Sequence, residues 1–121
     1  MISSCDLSGK SILVVEDDHF LASDTVAALR AAGATIVGPC SNVETAFRQM
    51  DVVLPTAAVL DLNLGGGGPR FEVARRLQSR GVPFIFVTGY QPSVLPDDLQ
   101  NVTVLEKPVA MQDVIEALSR L

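Results

Sequence analysis

The stretch Ser11-Ile-Leu-Val-Val-Glu-Asp-Asp18 decides the fold, because a short apolar run leads directly into three acids. The run from Ser11 to Val15 shows no alternation of polar and apolar residues, which is typical of a strand buried on both faces. Similar short runs recur along the chain and predict four further strands. These strands are expected over residues 34–38, 57–60, 84–87 and 102–105.

Amphipathic helical segments are predicted in the gaps between the strands. The first ends at Gly33, a residue type common just after a helix, and the second begins at a cap formed by Ser41 or Asn42. The third covers about residues 70–80, and the last follows the fifth strand. Because two prolines interrupt residues 88–100, only a short, distorted helix is expected there.

The alternation of strands and helices predicts a doubly wound α/β domain. Parallel strands need crossover connections, and right-handed crossovers place helices on both faces of the sheet. We expect one domain over residues 11–121, preceded by a flexible lead-in over residues 1–10. In sheets of this kind the functional site lies at the carboxyl ends of the strands.

The composition excludes several classes of function. The formal net charge of −5 argues against a surface that binds nucleic acid or an anionic membrane. No apolar stretch approaches the roughly 18 residues of a membrane span, and the N-terminus lacks the pattern of a secretory signal. Cys5 and Cys40 form neither a disulfide framework nor a zinc site, so we expect reduced thiols in a cytoplasmic protein.

Polar residues directly follow four of the five predicted strands. They are Glu16, Asp17 and Asp18 after the first strand, Asp61 after the third, Thr88 after the fourth, and Glu106 and Lys107 after the fifth. Carboxylates packed together repel one another and attract a divalent cation, and an all-oxygen ligand set favours Mg²⁺ or Mn²⁺ over zinc. With a lysine and a hydroxyl alongside, such a site is typical of phosphoryl transfer, in which a carboxylate can be the nucleophile.

In order and spacing, four pieces of the sequence resemble the receiver domain of bacterial two-component response regulators. They are Ile12-Leu-Val-Val-Glu-Asp-Asp18, Val59-Leu-Asp-Leu-Asn63, Val87-Thr-Gly89 and Glu106-Lys-Pro108. The resemblance covers residues 9–121. It implies a flavodoxin-like, five-stranded parallel sheet of strand order 2-1-3-4-5, with a fourth helix that is short or irregular in this chain.

The resemblance implies a phosphorylation site that holds a divalent cation. Asp61 is expected to accept the phosphoryl group. Asp17, Asp61 and the backbone carbonyl of Asn63 are expected to bind Mg²⁺, or alternatively Mn²⁺, while Glu16 acts through a water molecule. The residues alone leave an alternative for the acids after the first strand, which is to cap the first helix, and Asp18 is best placed to do so.

The same resemblance implies roles for residues that follow the fourth and fifth strands. Thr88 is expected to donate its hydroxyl to the phosphoryl group and Lys107 to pair with it, beside a cis Lys107–Pro108 peptide bond. Most receivers carry an aromatic switch residue where this chain has Val104. Tyr90 is the alternative switch candidate, or otherwise an aromatic that only packs. This combination resembles the atypical receivers nicknamed FAT GUY.

Two other features are expected to have no catalytic role. Gly65-Gly-Gly-Gly68 lacks the lysine and the hydroxyl residue of a P-loop, so we interpret it as a flexible loop beside the phosphorylation site. His19 has no cysteine or second histidine to share a metal with, so we expect a surface residue in the first turn of a helix.

The resemblance implies a stand-alone response regulator that receives a phosphoryl group from a sensor histidine kinase, of the HWE or HisKA2 type. The regulator would act on a downstream protein target, without nucleic acid or membrane, as a monomer or weak homodimer. It would catalyse only its own phosphorylation and dephosphorylation. A magnesium-dependent phosphatase of the haloacid-dehalogenase type is the alternative, although Asn63 stands where such enzymes need a second acid. A flavodoxin-like binder of FMN is disfavoured, because the acids after the first strand would repel the phosphate.

Overall fold

The computed structural model describes residues 6–121, and a sheet of five parallel strands forms its centre. The strands are β1 (Ser11–Val15), β2 (Thr35–Cys40), β3 (Ala57–Leu60), β4 (Phe84–Thr88) and β5 (Val104–Glu106). The α-helices are α1 (His19–Ala31), α2 (Val43–Val52), α3 (Glu72–Ser79) and α4 (Met111–Ser119). The strands lie in the order β2-β1-β3-β4-β5, which confirms the predicted doubly wound, flavodoxin-like fold.

The helices cover both faces of the sheet, and each strand contributes alternate residues to the two resulting cores. Leu13 and Leu60 pack on the face covered by α2 and α3. Ile12 and Ile85 pack on the opposite face, which α1 and α4 cover. Because the central strands are buried on both faces, their sequences are continuous apolar runs instead of alternating ones.

Side-chain caps fix where the first two helices begin. The Asp18 carboxylate accepts a hydrogen bond from the Leu21 N–H (3.1 Å) at the start of α1, as expected. At the start of α2, the Asn42 side chain accepts from the Thr45 N–H (2.8 Å), so Asn42 is the cap. Within residues 6–121 no helix is long and apolar enough to cross a membrane.

β2 extends further than the sequence predicted. It was expected to end at Gly38 before Pro39, yet the strand continues to Cys40 through an irregularity in its pairing with β1. β2 lies at the edge of the sheet, where proline and bulges are tolerated. Gly38 adopts a φ of +100°, and a Cβ there would lie 3.1 Å from the Val14 carbonyl oxygen. The extension lets the Cys40 carbonyl accept a hydrogen bond from the Glu16 N–H (2.9 Å).

Strand β5 and helix α3 each begin two residues later than the sequence predicted, because hydrogen bonds hold the preceding residues in turns. β5 begins at Val104, since the Val102 N–H donates to the Leu99 carbonyl (3.1 Å) and closes a turn. α3 begins at Glu72, since the Arg70 N–H donates to the Leu62 carbonyl (2.9 Å) and belongs to the preceding loop.

Residues 89–103 connect β4 to β5 without an α-helix, in line with the interruption that the prolines predicted. The segment contains two turns of 3₁₀ helix, Pro92–Val94 and Asp97–Leu99. Leu95 and Leu99 are buried in the core on the α2 and α3 side. Asp98 forms an ion pair with Arg75 of α3. Apolar burial and this ion pair therefore both hold the segment against α3.

The packed structure begins before residue 11. Leu7 is fully buried on the α1 and α4 side, and its N–H donates to the Ala32 carbonyl (2.9 Å). The Lys10 carbonyl accepts from the Thr35 N–H (2.9 Å). The expected flexible lead-in is therefore wrong for residues 7–10, because one buried leucine anchors them. Residues 1–5, which include Cys5, lie outside the described residues.

We predict that Leu7→Ala lowers the free energy of unfolding by about 2–4 kcal/mol, because it removes a fully buried side chain and leaves a cavity. Urea unfolding followed by circular dichroism measures this difference. Leu54→Ala is the matched control, since the Leu54 side chain is 56% exposed and its loss should change stability by less than about 0.5 kcal/mol. Wild-type stability in Leu7→Ala would show that the start of the chain does not pack.

Candidate functional site

Three carboxylates converge at the carboxyl edge of the sheet. Glu16 and Asp17 follow β1, and Asp61 follows β3, the neighbouring strand. One carboxylate oxygen of each residue lies within 4.8 Å of the others. Glu16 and Asp61 are buried, whereas Asp17 is exposed. The expected acidic cluster is therefore assembled, with one of its members open to solvent.

Lys107 connects two of these carboxylates. Its Nζ lies 2.8 Å from Asp61 Oδ2 and 2.9 Å from Glu16 Oε1. The Lys107 N–H donates to the Thr88 carbonyl (2.9 Å), and the Lys107–Pro108 peptide bond is cis, as expected. Partial burial on its own would lower the pKa of Lys107, but its contacts with the two carboxylates outweigh this effect and raise the pKa. The lysine is therefore a fixed positive charge in the cluster.

The pKa of the Glu16 carboxylate is raised, so its charged form is disfavoured. Its Oε2 accepts a hydrogen bond from the Asp18 N–H (3.0 Å), and its other oxygen faces Lys107. Burial nevertheless raises the pKa of Glu16 from 4.5 to about 7, and the charge of Asp61 adds to the rise. The Asp18 and Lys107 contacts oppose the rise without cancelling it.

Asp61 lines a cavity of about 320 Å³ together with Asn63, Gly89, Tyr90 and Lys107. Its Oδ1 accepts from the Asn63 N–H (3.0 Å), and its Oδ2 accepts from Lys107. These two donors fix the orientation of the Asp61 carboxylate at the wall of the cavity. A small tetrahedral anion that entered the cavity would meet a carboxylate and an ammonium group side by side.

Asp17 makes a contact with the glycine run that the sequence did not predict. Its Oδ2 accepts a hydrogen bond from the backbone N–H of Gly65 (3.2 Å), the first glycine of the run between β3 and α3. Sequence reasoning missed Gly65, because a backbone amide leaves no side-chain signal. The available hint was the position of four consecutive glycines directly after the Asp61 loop.

Thr88, the last residue of β4, and Tyr90 form the side of the site at the end of that strand. Thr88 is fully buried, and its Oγ1 accepts from the Tyr90 N–H (3.3 Å). Tyr90 is partly buried, packs against the core on the α2 and α3 side and lines the cavity beside Asp61. Thr88 is not among the residues that line that cavity. The phosphoryl contact expected of the Thr88 hydroxyl therefore stays a prediction.

Other candidate residues lie apart from the acidic cluster. Asp18 caps α1, and His19 is an exposed first-turn residue whose ring meets Phe20 edge to face at 5.9 Å. Cys40 is buried, and burial raises the pKa of its thiol to about 11. A neutral, buried thiol of this kind is unreactive.

The donor set fits a hard divalent cation. It consists of carboxylate oxygens, which Mg²⁺ and Mn²⁺ prefer over the nitrogen and sulfur ligands typical of zinc. Lys107 supplies one positive charge against three carboxylates. A dication beside the lysine would balance the negative charge that remains.

Comparison with known proteins places the chain in a family. No protein-family model and no curated protein matches it. The solution structure of SdrG from Sphingomonas melonis Fr1 is 33% identical, and the match covers 98% of this chain and 97% of that chain with a TM-score of 0.77. The chain belongs to the response regulator receiver family.

More distant receivers share the fold. The response regulator PhyR from Brucella abortus is 19% identical over 97% of this chain, with a TM-score of 0.82, and the receiver spans about half (49%) of that protein. A CheY-like receiver domain protein from Methanospirillum hungatei JF-1 is 22% identical, and the match covers 92% of this chain and 91% of that chain with a TM-score of 0.80. At these identities the likeness supports the fold alone.

We predict that the metal-free receiver loses stability as the pH rises from about 4.5 to about 7. In this window the folded state keeps on Glu16 a proton that the unfolded chain has released, since the pKa of Glu16 is raised to about 7 on folding. The stabilisation is complete below the unfolded pKa and is lost as the pH rises through the folded pKa. The free energy of unfolding should fall by at most about 3 kcal/mol.

Urea unfolding in chelator-containing buffer at several pH values measures this slope. Glu16→Gln should flatten it, because the amide does not titrate. Glu106→Gln is the matched control, since Glu106 is an exposed acid at the end of β5. A slope that persists unchanged in Glu16→Gln would show that another group causes it.

Proposed function

We propose that this receiver accepts a phosphoryl group on Asp61 in a reaction that requires Mg²⁺. The observation that carries the proposal is the environment of the Asp61 carboxylate. It lines a cavity of about 320 Å³, contacts Lys107 Nζ at 2.8 Å and has two further carboxylates within 4.8 Å. A nucleophile, a fixed cation and an oxygen-rich cation site are thereby adjacent, which is the set of groups that phosphoryl transfer to a carboxylate needs.

The cation would be held by Asp17, Asp61 and the backbone carbonyl of Asn63, with Glu16 acting through a water molecule. Mg²⁺ is the preferred ion and Mn²⁺ the substitute. When bound, it would neutralise charge on the carboxylates and on the incoming phosphoryl oxygens. Without that neutralisation, a dianionic group would approach a cluster of negative charges, so we expect phosphorylation to depend strictly on the ion.

Asp61, Lys107 and Thr88 have different roles in the proposed phosphoryl transfer. A carboxylate oxygen of Asp61 forms a bond to phosphorus while the bond from phosphorus to the donor's histidine nitrogen breaks, and the imidazole leaves. Lys107 pairs with a phosphoryl oxygen, and the Thr88 hydroxyl donates to another. Hydrolysis of the acyl phosphate by water later regenerates Asp61. The protein would therefore catalyse only its own phosphorylation and dephosphorylation.

The proposed partners are proteins. A sensor histidine kinase, of the HWE or HisKA2 type, is the proposed donor, and a downstream protein is the proposed target. Family membership supports both roles, and the net charge of −5 disfavours nucleic acid as a direct partner. The cytoplasmic location and the monomeric or weakly dimeric state remain predictions.

The alternative function, a phosphatase of the haloacid-dehalogenase type, gains no support. Such an enzyme needs an acid two residues after its nucleophile, and this chain has Asn63 there. Asn63 contributes its backbone N–H to Asp61, which orients the carboxylate and supplies no acid–base group. Membership of the receiver family favours the receiver function over this alternative.

We predict that acetyl phosphate with Mg²⁺ adds one phosphoryl group to the wild-type protein and none to Asp61→Asn. Intact-mass spectrometry measures the product, and chelation of Mg²⁺ should abolish it. Asp18→Asn is the matched control, because it removes a neighbouring acid while asparagine keeps the helix cap. Equal phosphorylation of Asp61→Asn and wild type would refute the assignment of the acceptor.

We predict that beryllofluoride with Mg²⁺ changes the tyrosine fluorescence of the protein. Tyr90 is the only tyrosine and the chain has no tryptophan, so the emission reports the wall of the Asp61 cavity. The change should occur in wild type and in Asp18→Asn and be absent in Asp61→Asn. Unchanged emission in wild-type protein that is phosphorylated normally would show that Tyr90 does not respond to the site, and would exclude it as a switch.

A further inference from the structure

The glycine run between β3 and α3 makes a specific contact with the acidic cluster. Glu16 and Asp61 are buried, and each is held by Lys107 and by a nearby backbone N–H. Asp17 is exposed, and its Oδ2 is held by the N–H of Gly65 at 3.2 Å. The contact joins positions 48 residues apart, so it ties the β3–α3 loop to the β1–α1 loop.

Backbone conformation explains why glycine occupies this position. Gly65 has a φ of +97°, a region that residues with a side chain rarely adopt. A Cβ on Gly65 would meet nothing within 4 Å, so lack of space is not the reason. Gly65 therefore adopts a left-handed backbone in the conformation in which its N–H donates to Asp17. Gly66 and Gly68 share positive φ values and open surroundings, but the Asp17 contact is made by Gly65.

We propose that Gly65 is a positioning residue for the cation site, and that its N–H orients the Asp17 carboxylate for metal binding. The inference rests on the proposed Mg²⁺ site. A hydrogen bond to one carboxylate oxygen restricts rotation of the Asp17 side chain and leaves the other oxygen available to a cation. Partners that orient metal ligands in this way commonly contribute about tenfold or more to metal affinity.

A second consequence concerns the loop itself. Glycine-rich backbone loses much conformational freedom when it becomes ordered, so residues 65–68 need a specific contact to hold one conformation. Their contact is with a proposed metal ligand. Cation binding at Asp17 and ordering of the backbone at Gly65 are therefore linked, and linkage of this kind is reciprocal. The glycine run thereby acquires a role in the site that its sequence alone did not indicate.

The direct test compares alanine substitutions at three glycines by calorimetric titration with Mg²⁺. Gly65→Ala should weaken Mg²⁺ binding about tenfold, because alanine disfavours the left-handed backbone in which the contact with Asp17 forms. Gly66→Ala and Gly68→Ala are matched controls, since they impose the same kind of backbone strain in equally open surroundings. Both controls should bind Mg²⁺ within about twofold of wild type, because neither residue supplies the Asp17 contact.

A spectroscopic measurement tests the contact without any metal. In the metal-free protein, Asp17→Ala removes the acceptor, so the amide proton of Gly65 should shift upfield in a ¹H–¹⁵N correlation spectrum. The amide protons of Gly66 and Gly68 should shift less. A Gly65 amide that does not respond to Asp17→Ala would overturn the inference, whatever the calorimetric result.

The outcomes separate this inference from the proposed function. If wild type binds Mg²⁺ and Gly65→Ala binds as tightly as Gly66→Ala, the positioning role is refuted while the metal site stands. If wild type binds no Mg²⁺, the proposed Mg²⁺ site is refuted, and the positioning role that rests on it is refuted too. Selective weakening in Gly65→Ala, together with the selective amide shift, supports the inference.

Discussion

The ionic cluster of Lys107 with Asp61 and Glu16 is the interaction on which the site depends. Both carboxylates are buried, and a buried charge is costly unless it is paired and hydrogen-bonded. Lys107 pairs with both at once, at 2.8 Å and 2.9 Å. The lysine follows β5, while its partners follow β3 and β1 on the far side of β4. The long, flexible stem of Lys107 lets its ammonium group reach both carboxylates.

Packing elsewhere compensates for the unfavourable electrostatics of this edge. The pKa of Glu16, raised by burial to about 7, shows that the fold holds a carboxylate where it is poorly solvated. Apolar cores on both faces of the sheet supply the stability that the charged edge lacks. Functional proteins commonly combine unfavourable electrostatics at the site with favourable packing around it. Here the combination leaves three carboxylates with the charge of one lysine beside them.

The sequence predicted the sheet well because buried parallel strands leave continuous apolar runs, and it predicted the acidic cluster because the residues after such strands share one edge. The sequence-based prediction failed where a single residue or a tertiary contact determines the local structure. Leu7 has no periodic partners, so its burial gave no signal. Pro39 suggested the end of β2, but an edge strand tolerates it. The hydrogen bond from Gly65 to Asp17 uses a backbone amide, which no side-chain pattern reveals.

The hydrogen bond between Thr88 and Tyr90 limits which parts of the molecule a phosphoryl group bound at the site would affect. A hydroxyl can accept one hydrogen bond and donate another, so Thr88 can keep the Tyr90 N–H while it donates to a phosphoryl oxygen. Under the proposed function, a change at Thr88 would then pass to Tyr90 through the backbone without breaking that bond. Beyond Tyr90, the segment up to residue 100 is held by the buried Leu95 and Leu99. Because close-packed cores resist gradual deformation, the proposed phosphorylation would act mainly on Tyr90 and on the loop that carries Asp61, with α3 and its attached segment moving little.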